Sequence, residues 1–406
     1  MKTIVCALIV LAFLIPIQQS GDVLLCQGTM ASSVHYVKTH QVVAPEGTQK
    51  LVVQIPGASN SAVVGYSLKM QSFRISYSTR PDEVVQTSEG ITATWINPPS
   101  KLSYTTDANL TIDVQANGLN SESQLPVKVP TSDAIVSKYL SASKYVQSDD
   151  PEVKDAAKAI TNGTRYESAA VAAIMLWVSN SVTYDISAAS HDASWTLHSK
   201  RGTCENYAHL SLALLRSVGI PARYVSGYLI GGDIPVNGYA ASYAYRWDAG
   251  PHSWIEVYYP DLGWIPYEPQ KTIGFVDDHH LREAVGLDSA DVPNKLVYTY
   301  SAGNGGRLAV DVASNATVVH ESSDLHIVHT SSASNKGIIS QEMAHGGTIN
   351  DHINVITSEG TLIWLAVPAA VAVAVIASSV FLFGRRRSRK QPCSHLTFEL
   401  RQEPKR

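Results

Sequence analysis

Three kinds of hydrophobic pattern follow one another along this 406-residue chain. Residues 30–128 alternate apolar and polar positions in short runs, QKLVVQIP, SFRISYS, ITATWI and LTIDVQA, separated by Gly, Pro and Asn. Period-two alternation over such lengths predicts half-buried strands, and several in succession predict a β-sandwich-like domain. Lys128-Val129-Pro130 marks its exit. The period then lengthens. Pro151 opens PEVKDAAKAITNG, with acidic residues in its first turns and Gly163 at its end, the punctuation of a helix. In TRYESAAVAAIMLWVSNSV, the residues Ala170, Ala173, Ile174, Trp177 and Val178 share one helical face and predict a second helix with a buried stripe. Alternation returns in KLVYTYS, LAVDVAS, ATVVHES and LHIVHTS between residues 295 and 331, predicting further strands.

The two ends are apolar without alternation. Residues 3–17, TIVCALIVLAFLIPI, follow a single Lys2, which is the pattern of a secretory signal and short for a membrane span. Residues 361–383, TLIWLAVPAAVAVAVIASSVFLF, carry no charge over 23 positions, enough for a bilayer-spanning helix. Gly384 and RRRSRK follow at once, so the positive-inside rule places the tail in the cytoplasm and the bulk of the chain outside. A single-pass cell-membrane protein in contact with lipid through residues 361–383 is the expectation.

Charge sharpens this division. The formal net charge of −4 splits into +1 over residues 1–20, −11 over residues 21–383 and +6 over residues 384–406, so a nucleic-acid-binding footprint is absent. Apolar residues make up 45% of the chain, which excludes wholesale disorder. The four cysteines stand at 6, 26, 204 and 393, leaving only Cys26 and Cys204 for the exterior part. That excludes a disulfide framework, though a Cys26–Cys204 bridge stays open. Asn109, Asn162 and Asn315 begin glycosylation sequons.

The chemistry concentrates in the middle. A helix is predicted over 204–218, capped by Thr203, ended by Gly219 and blocked by Pro221, with Tyr207, Leu210, Leu214 and Val218 on one face. Cys204 is then the first residue of a buried helix, where the amide dipoles stabilise negative charge on sulfur. HSWIEVYY and GWIPYE read as two strands around the turn Pro260-Asp261-Leu262-Gly263. Alternation puts His252, Trp254, Glu256 and Tyr258 on one side. A hairpin centred on residue 260 sets His252 directly opposite Glu268. A thiol, an imidazole and a carboxylate supply nucleophile, proton carrier and orienting charge for acyl transfer. His279-His280 has no accompanying Cys/His set of metal-binding spacing, so neither a metal nor a cofactor is expected.

These residues carry a resemblance. Gly202-Thr203-Cys204-Glu205-Asn206-Tyr207-Ala208, Gly219-Ile220-Pro221-Ala222-Arg223 with Gly227-Tyr228, His252-Ser253-Trp254-Ile255-Glu256-Val257-Tyr258, and Gly263-Trp264 through Glu268-Pro269 resemble the transglutaminase-like superfamily, in a layout similar to its membrane-anchored prokaryotic members. The resemblance implies a papain-like α+β core with Cys204 as nucleophile and His252 as base. Its third position, usually Asp before Pro, is Glu268 here, with Asp261 in the turn as rival. An oxyanion donor is expected from Trp195 or elsewhere in the 184–200 loop. The organisation expected is a signal peptide (1–20), a β-rich domain (27–130), a transglutaminase-like domain (131–275), a β-rich extension (276–331), a stalk (332–360), a transmembrane helix (361–383) and a basic tail (384–406). The expected function is attack on peptide or glutamine amides of a protein or peptide substrate, as a peptidase or amidase in preference to a crosslinker. The alternative is a non-enzymatic surface adhesion or scaffold protein with an inactive core.

Overall fold

The computed structural model describes residues 22–56, 60–87, 90–116, 119–129, 133–237, 242–270, 276–292, 297–302, 307–331, 338–339 and 354–356. The expected signal peptide, transmembrane helix and basic tail lie outside the described residues, as does most of the stalk. No helix among the described residues is long and apolar enough to cross a membrane.

The first β-rich region is built on β1 (Asp22–Val43), β2 (Thr48–Pro56), β3 (Tyr66–Tyr77), β4 (Gly90–Ile96) and β5 (Lys101–Ala116). The helices follow: α1 (Ala134–Lys138), α2 (Pro151–Ile160), α3 (Glu167–Ser181), α4 (Ala193–Ser199) and α5 (Cys204–Ser217). Then come β6 (Ala222–Leu229), β7 (Gly250–Tyr259), β8 (Gly263–Tyr267), β9 (His280–Gly286), β10 (Val297–Ala302) and β11 (Ala309–Ser323).

Sheet pairing redraws the expected boundaries. β1 is a central strand, with β5 antiparallel on one edge and β11 on the other, so the strands after residue 295 complete the first β-region. β10 likewise joins β2 and β4 in a second sheet. The two sheets close on Val42, Leu51, Val53, Ile55, Ala93, Trp95, Leu102 and Tyr104, all buried. The core sheet has the order β8-β7-β6-β9. Its edge strand β9 comes from residues expected in the extension, because the β6 edge left open by β7 pairs with it.

α5 packs its whole circumference, Asn206 through Arg216 being buried, so the single apolar face expected for it is too narrow. On α3, the fully buried apolar residues are Ala170, Val171, Ile174, Met175 and Val178, a stripe that adds Val171 and Met175 to the expected face and leaves Ala173 and Trp177 only partly buried. Trp177 is at the edge of this stripe, partly buried against the core, with Lys200 Nζ 4.1 Å from its ring centre. β7 is buried on both faces. Ile255, Val257 and Tyr259 pack with the helices, whereas Trp254 packs with Met30, Tyr66 and Val114 of the β-region.

Two positions make this packing testable. Gly227 on β6 pairs with His252. A Cβ there would lie 2.4 Å from Trp254 Cη2 and 2.3 Å from the Leu281 carbonyl oxygen. Gly227→Ala is therefore expected to destabilise the protein by about 2–3 kcal/mol in urea unfolding. His209 on α5 is fully buried; its Nδ1–H donates to the His191 carbonyl at 2.8 Å and its Nε2 accepts from Ser289 N at 3.2 Å. That pattern requires the neutral ring, and burial pushes the pKa down to about 4. The unfolded chain binds this proton near pH 6.5, so between pH 6.5 and 4 the unfolded state takes up more protons. Stability should fall across that window by roughly 2–3 kcal/mol, and His209→Gln should flatten that part of a urea-midpoint profile.

Candidate active site

The site begins at the α5 N-terminus. Asn206 Oδ1 accepts the Thr203 backbone N–H at 3.0 Å, the side-chain half of a capping box. Asn206 Nδ2 donates to the Ser190 carbonyl and to Thr196 Oγ1, both at 2.8 Å. One fully buried amide thus ties the helix start to the preceding loop and to α4, fixing the position of Cys204 in the same turn. Cys204 is a free, partly exposed thiol, so the Cys26–Cys204 bridge left open by the sequence does not form. Glu205 turns to His191, Oε2 to Nδ1 at 3.0 Å.

The hairpin supplies the other two groups. Its pairs run from Tyr259–Gly263 to Ile255–Tyr267, which centres the turn on Asp261. The expected pairing centred on residue 260 is therefore off by one, and His252 does not stand opposite Glu268 in the ladder. They meet all the same. Glu268 lies just beyond the end of β8, and its Oε2 accepts from His252 Nε2 at 2.7 Å. The Cys204 thiol hydrogen-bonds the same imidazole, which leaves Nδ1 as the ring atom for sulfur. Asp261 serves the fold: it accepts from Ser121 Oγ at 2.9 Å and from Glu122 N at 2.8 Å.

Two further charged groups lie behind Glu268. His280 Nε2 bonds the same Oε2 at 3.2 Å, and its Nδ1 bonds Asp277 Oδ1 at 2.7 Å. Trp247 Nε1 donates to Asp277 Oδ2 at 2.6 Å, and Gln270 N donates to Glu268 Oε1 at 2.8 Å. Glu268, Asp277 and His280 are all fully buried. Burial alone would raise the Glu268 carboxyl, but the imidazoles of His252 and His280 outweigh it and hold the pKa at about 2. Burial likewise opposes charge on His280, yet Asp277 and Glu268 raise it to about 9. Burial lowers His252, and the charge of Glu268 with the Cys204 hydrogen bond more than reverses that, so its pKa is raised. The result is an alternating row of charges running from Asp277 to the thiol. His252, Glu268 and His280 could also present a metal with three donors, but here they satisfy one another.

The row was half legible. Thr203-x-x-Asn206 is a capping-box spacing that sequence reasoning could have used. Asp277 and His280, three residues apart, gave no such signal: their role depends on β9 pairing with β6. Trp195 sits half-buried in α4. The aromatic group that feels the charge of Cys204 from this loop is Tyr184, whose hydroxyl is raised first by burial and then by that charge.

Residues 154–269 match the family model of the transglutaminase-like superfamily. An uncharacterised protein of Bacillus subtilis (strain 168) is 38% identical over 90 residues, 22% of this chain and 12% of that protein. A protein-glutamine gamma-glutamyltransferase of Pseudomonas aeruginosa is 37% identical over 70 residues, 17% of this chain and 10% of that one. The chain thus spans only about a tenth of the length of these two relatives. Among solved structures, a candidate cysteine protease from Cytophaga hutchinsonii aligns with a TM-score of 0.51 at 19% identity, over 73% of this chain and 93% of that one. At that identity the likeness is one of fold. The family match runs from α2 to just beyond β8 and takes in the thiol, the imidazole and the carboxylate, so residues 154–269 are the part of this chain that matches the transglutaminase-like superfamily.

Proposed function

We propose that the protein is a cysteine-dependent acyl-transfer enzyme acting on peptide or glutamine amides. Cys204 is the nucleophile, His252 carries the proton and Glu268 orients and stabilises the imidazolium. The observation that carries this reading is the unbroken contact from the Cys204 thiol through His252 to a carboxylate with no solvent exposure.

The geometry supports a thioester route. The thiol proton passes to His252 Nδ1, and sulfur bonds to the amide carbon. The carbonyl oxygen becomes an oxyanion, and the Cys204 N–H, heading a helix, is a natural donor for it. Collapse breaks the C–N bond as His252 returns the proton to the leaving amine. Water then attacks the thioester, losing a proton to His252, and the C–S bond breaks. Glu268 keeps Nε2 protonated throughout, so that Nδ1 is the atom that accepts and returns protons. Hydrolysis is favoured over amine transfer because Cys204 is partly exposed and neighbouring Tyr184 is 58% exposed, which leaves the thioester open to water. The uncharged stretch 361–383 and the arginines after it support a membrane anchor that holds this domain outside the cell.

Cys204→Ala and His252→Ala should each lower amide-donor turnover by at least about 10³-fold, and Glu268→Gln by about 10²-fold, because the base and its orienter act together. Iodoacetamide labelling of Cys204, read by intact mass, should slow at least about tenfold in His252→Ala as the imidazole that takes the thiol proton is lost. Equal, slow labelling in both proteins would leave the scaffold reading standing.

A further inference from the structure

The turn that completes the charge row has a second side. Asp277 and His280 close it, His280 N donating to the Asp277 carbonyl at 3.2 Å, and the His280 ring links the Asp277 carboxylate to Glu268. The two residues between them, Asp278 and His279, meet the β-region instead. Asp278 Oδ2 accepts from Ser32 Oγ of β1 at 2.5 Å. Ser32 is the cross-strand partner of Glu321 on β11, so Glu321 is carried to the same place.

Three potential ligand atoms converge there. Asp278 Oδ1, His279 Nε2 and Glu321 Oε1 are buried and have no hydrogen-bond partner among the described residues. They lie within 4.8 Å of one another, with His279 Nε2 3.8 Å from Glu321 Oε1. The imidazole is set for ligation. Its Nδ1 faces the Ile230 carbonyl at 2.9 Å, an acceptor only, so Nδ1 carries the proton and Nε2 presents a lone pair. A Cβ on Gly232 would lie 2.8 Å from His279 Cε1, so bare backbone is what lets the ring sit in this orientation. Asp278 and His279 are 0% and 2% exposed, whereas the Glu321 side chain is 30% exposed and leaves a path from solvent.

We propose that Asp278, His279 and Glu321 bind one divalent first-row transition-metal ion, of the Zn²⁺ or Mn²⁺ class. One imidazole nitrogen and two carboxylate oxygens suit such ions, and two carboxylates neutralise the charge. Donors at about 2.1 Å from a common ion lie roughly 3.0–3.5 Å apart, so the His279–Glu321 pair needs to close by only a few tenths of an ångström. The ion would clamp the turn to β1 and β11, and with it Asp277 and His280 behind the active site. Its role is structural; the thiol chemistry does not need it.

The test uses the Cys204→Ala protein, so that the thiol cannot take the metal. Chelator-treated protein is dialysed against Zn²⁺ or Mn²⁺ alone, and retained metal is measured by elemental analysis beside the thermal midpoint. The expected result is about one equivalent of one or both ions with a rise in midpoint. Adding Glu321→Gln should weaken binding at least tenfold and abolish that rise. His279→Gln should do the same. Because His279→Gln removes a buried ring and can fail to fold, Glu321→Gln, at a part-exposed side chain, is the deciding variant. No retention of either ion overturns the proposal. Binding unchanged by Glu321→Gln also overturns it, since that places the metal elsewhere, for instance on His252, Glu268 and His280.

Discussion

The site depends on keeping one carboxylate charged where water does not reach. An isolated ionised carboxyl in the position of Glu268 would take up a proton to avoid the desolvation cost. Two imidazoles and one backbone N–H prevent this. With the charge in place, His252 is held in a single orientation, and its other nitrogen is left for Cys204. Such a buried network adds little net stability against an apolar replacement, but losing one member leaves an uncompensated charge. It therefore specifies geometry more than it stabilises the fold. The longer side chain of glutamate suits this construction, because Glu268 stands beyond the last ladder pair of β8 and must reach across to the start of β7.

The β-region is part of the same construction. Trp254 and Leu281 of the core sheet share one hydrophobic cluster with Met30, Tyr66 and Val114. Tyr66 donates its hydroxyl to the His280 carbonyl at 2.6 Å, while Tyr36 and Lys38 both reach Glu283 on β9 at 2.7 Å. β9 is thereby held between the two regions, and the turn before it faces both ways. One pair of its residues serves the active-site row; the other meets the strands of the β-region. The side of the core sheet that does not carry the helices is covered by strands that lie before and after residues 131–275 in the chain, which is why a boundary drawn along the sequence does not separate the two regions.

Local chemistry in the sequence determined the helix that begins at Cys204, the strand that begins near His252 and the acid that follows Gly263-Trp264. Caps, Gly219-Pro221 punctuation and period-two alternation act within a few residues, so they can be read without knowing the neighbours. What the neighbours decide was not legible. The hairpin centre moved from residue 260 to Asp261, since register depends on turn geometry that composition does not fix. Trp177 stands at the margin of the α3 stripe, partly buried against the core and covered by Lys200, over twenty residues downstream, a neighbour that helical periodicity does not reveal. Asp277 and His280 entered the site, and Asp278, His279 and Glu321 came together, only because β9 pairs with β6 and β11 pairs with β1. The sequence thus determined which reactive groups the chain carries and the local elements that hold them. Tertiary structure alone decided which buried charges stand beside them, because long-range strand pairing leaves no periodic trace in the segments it joins.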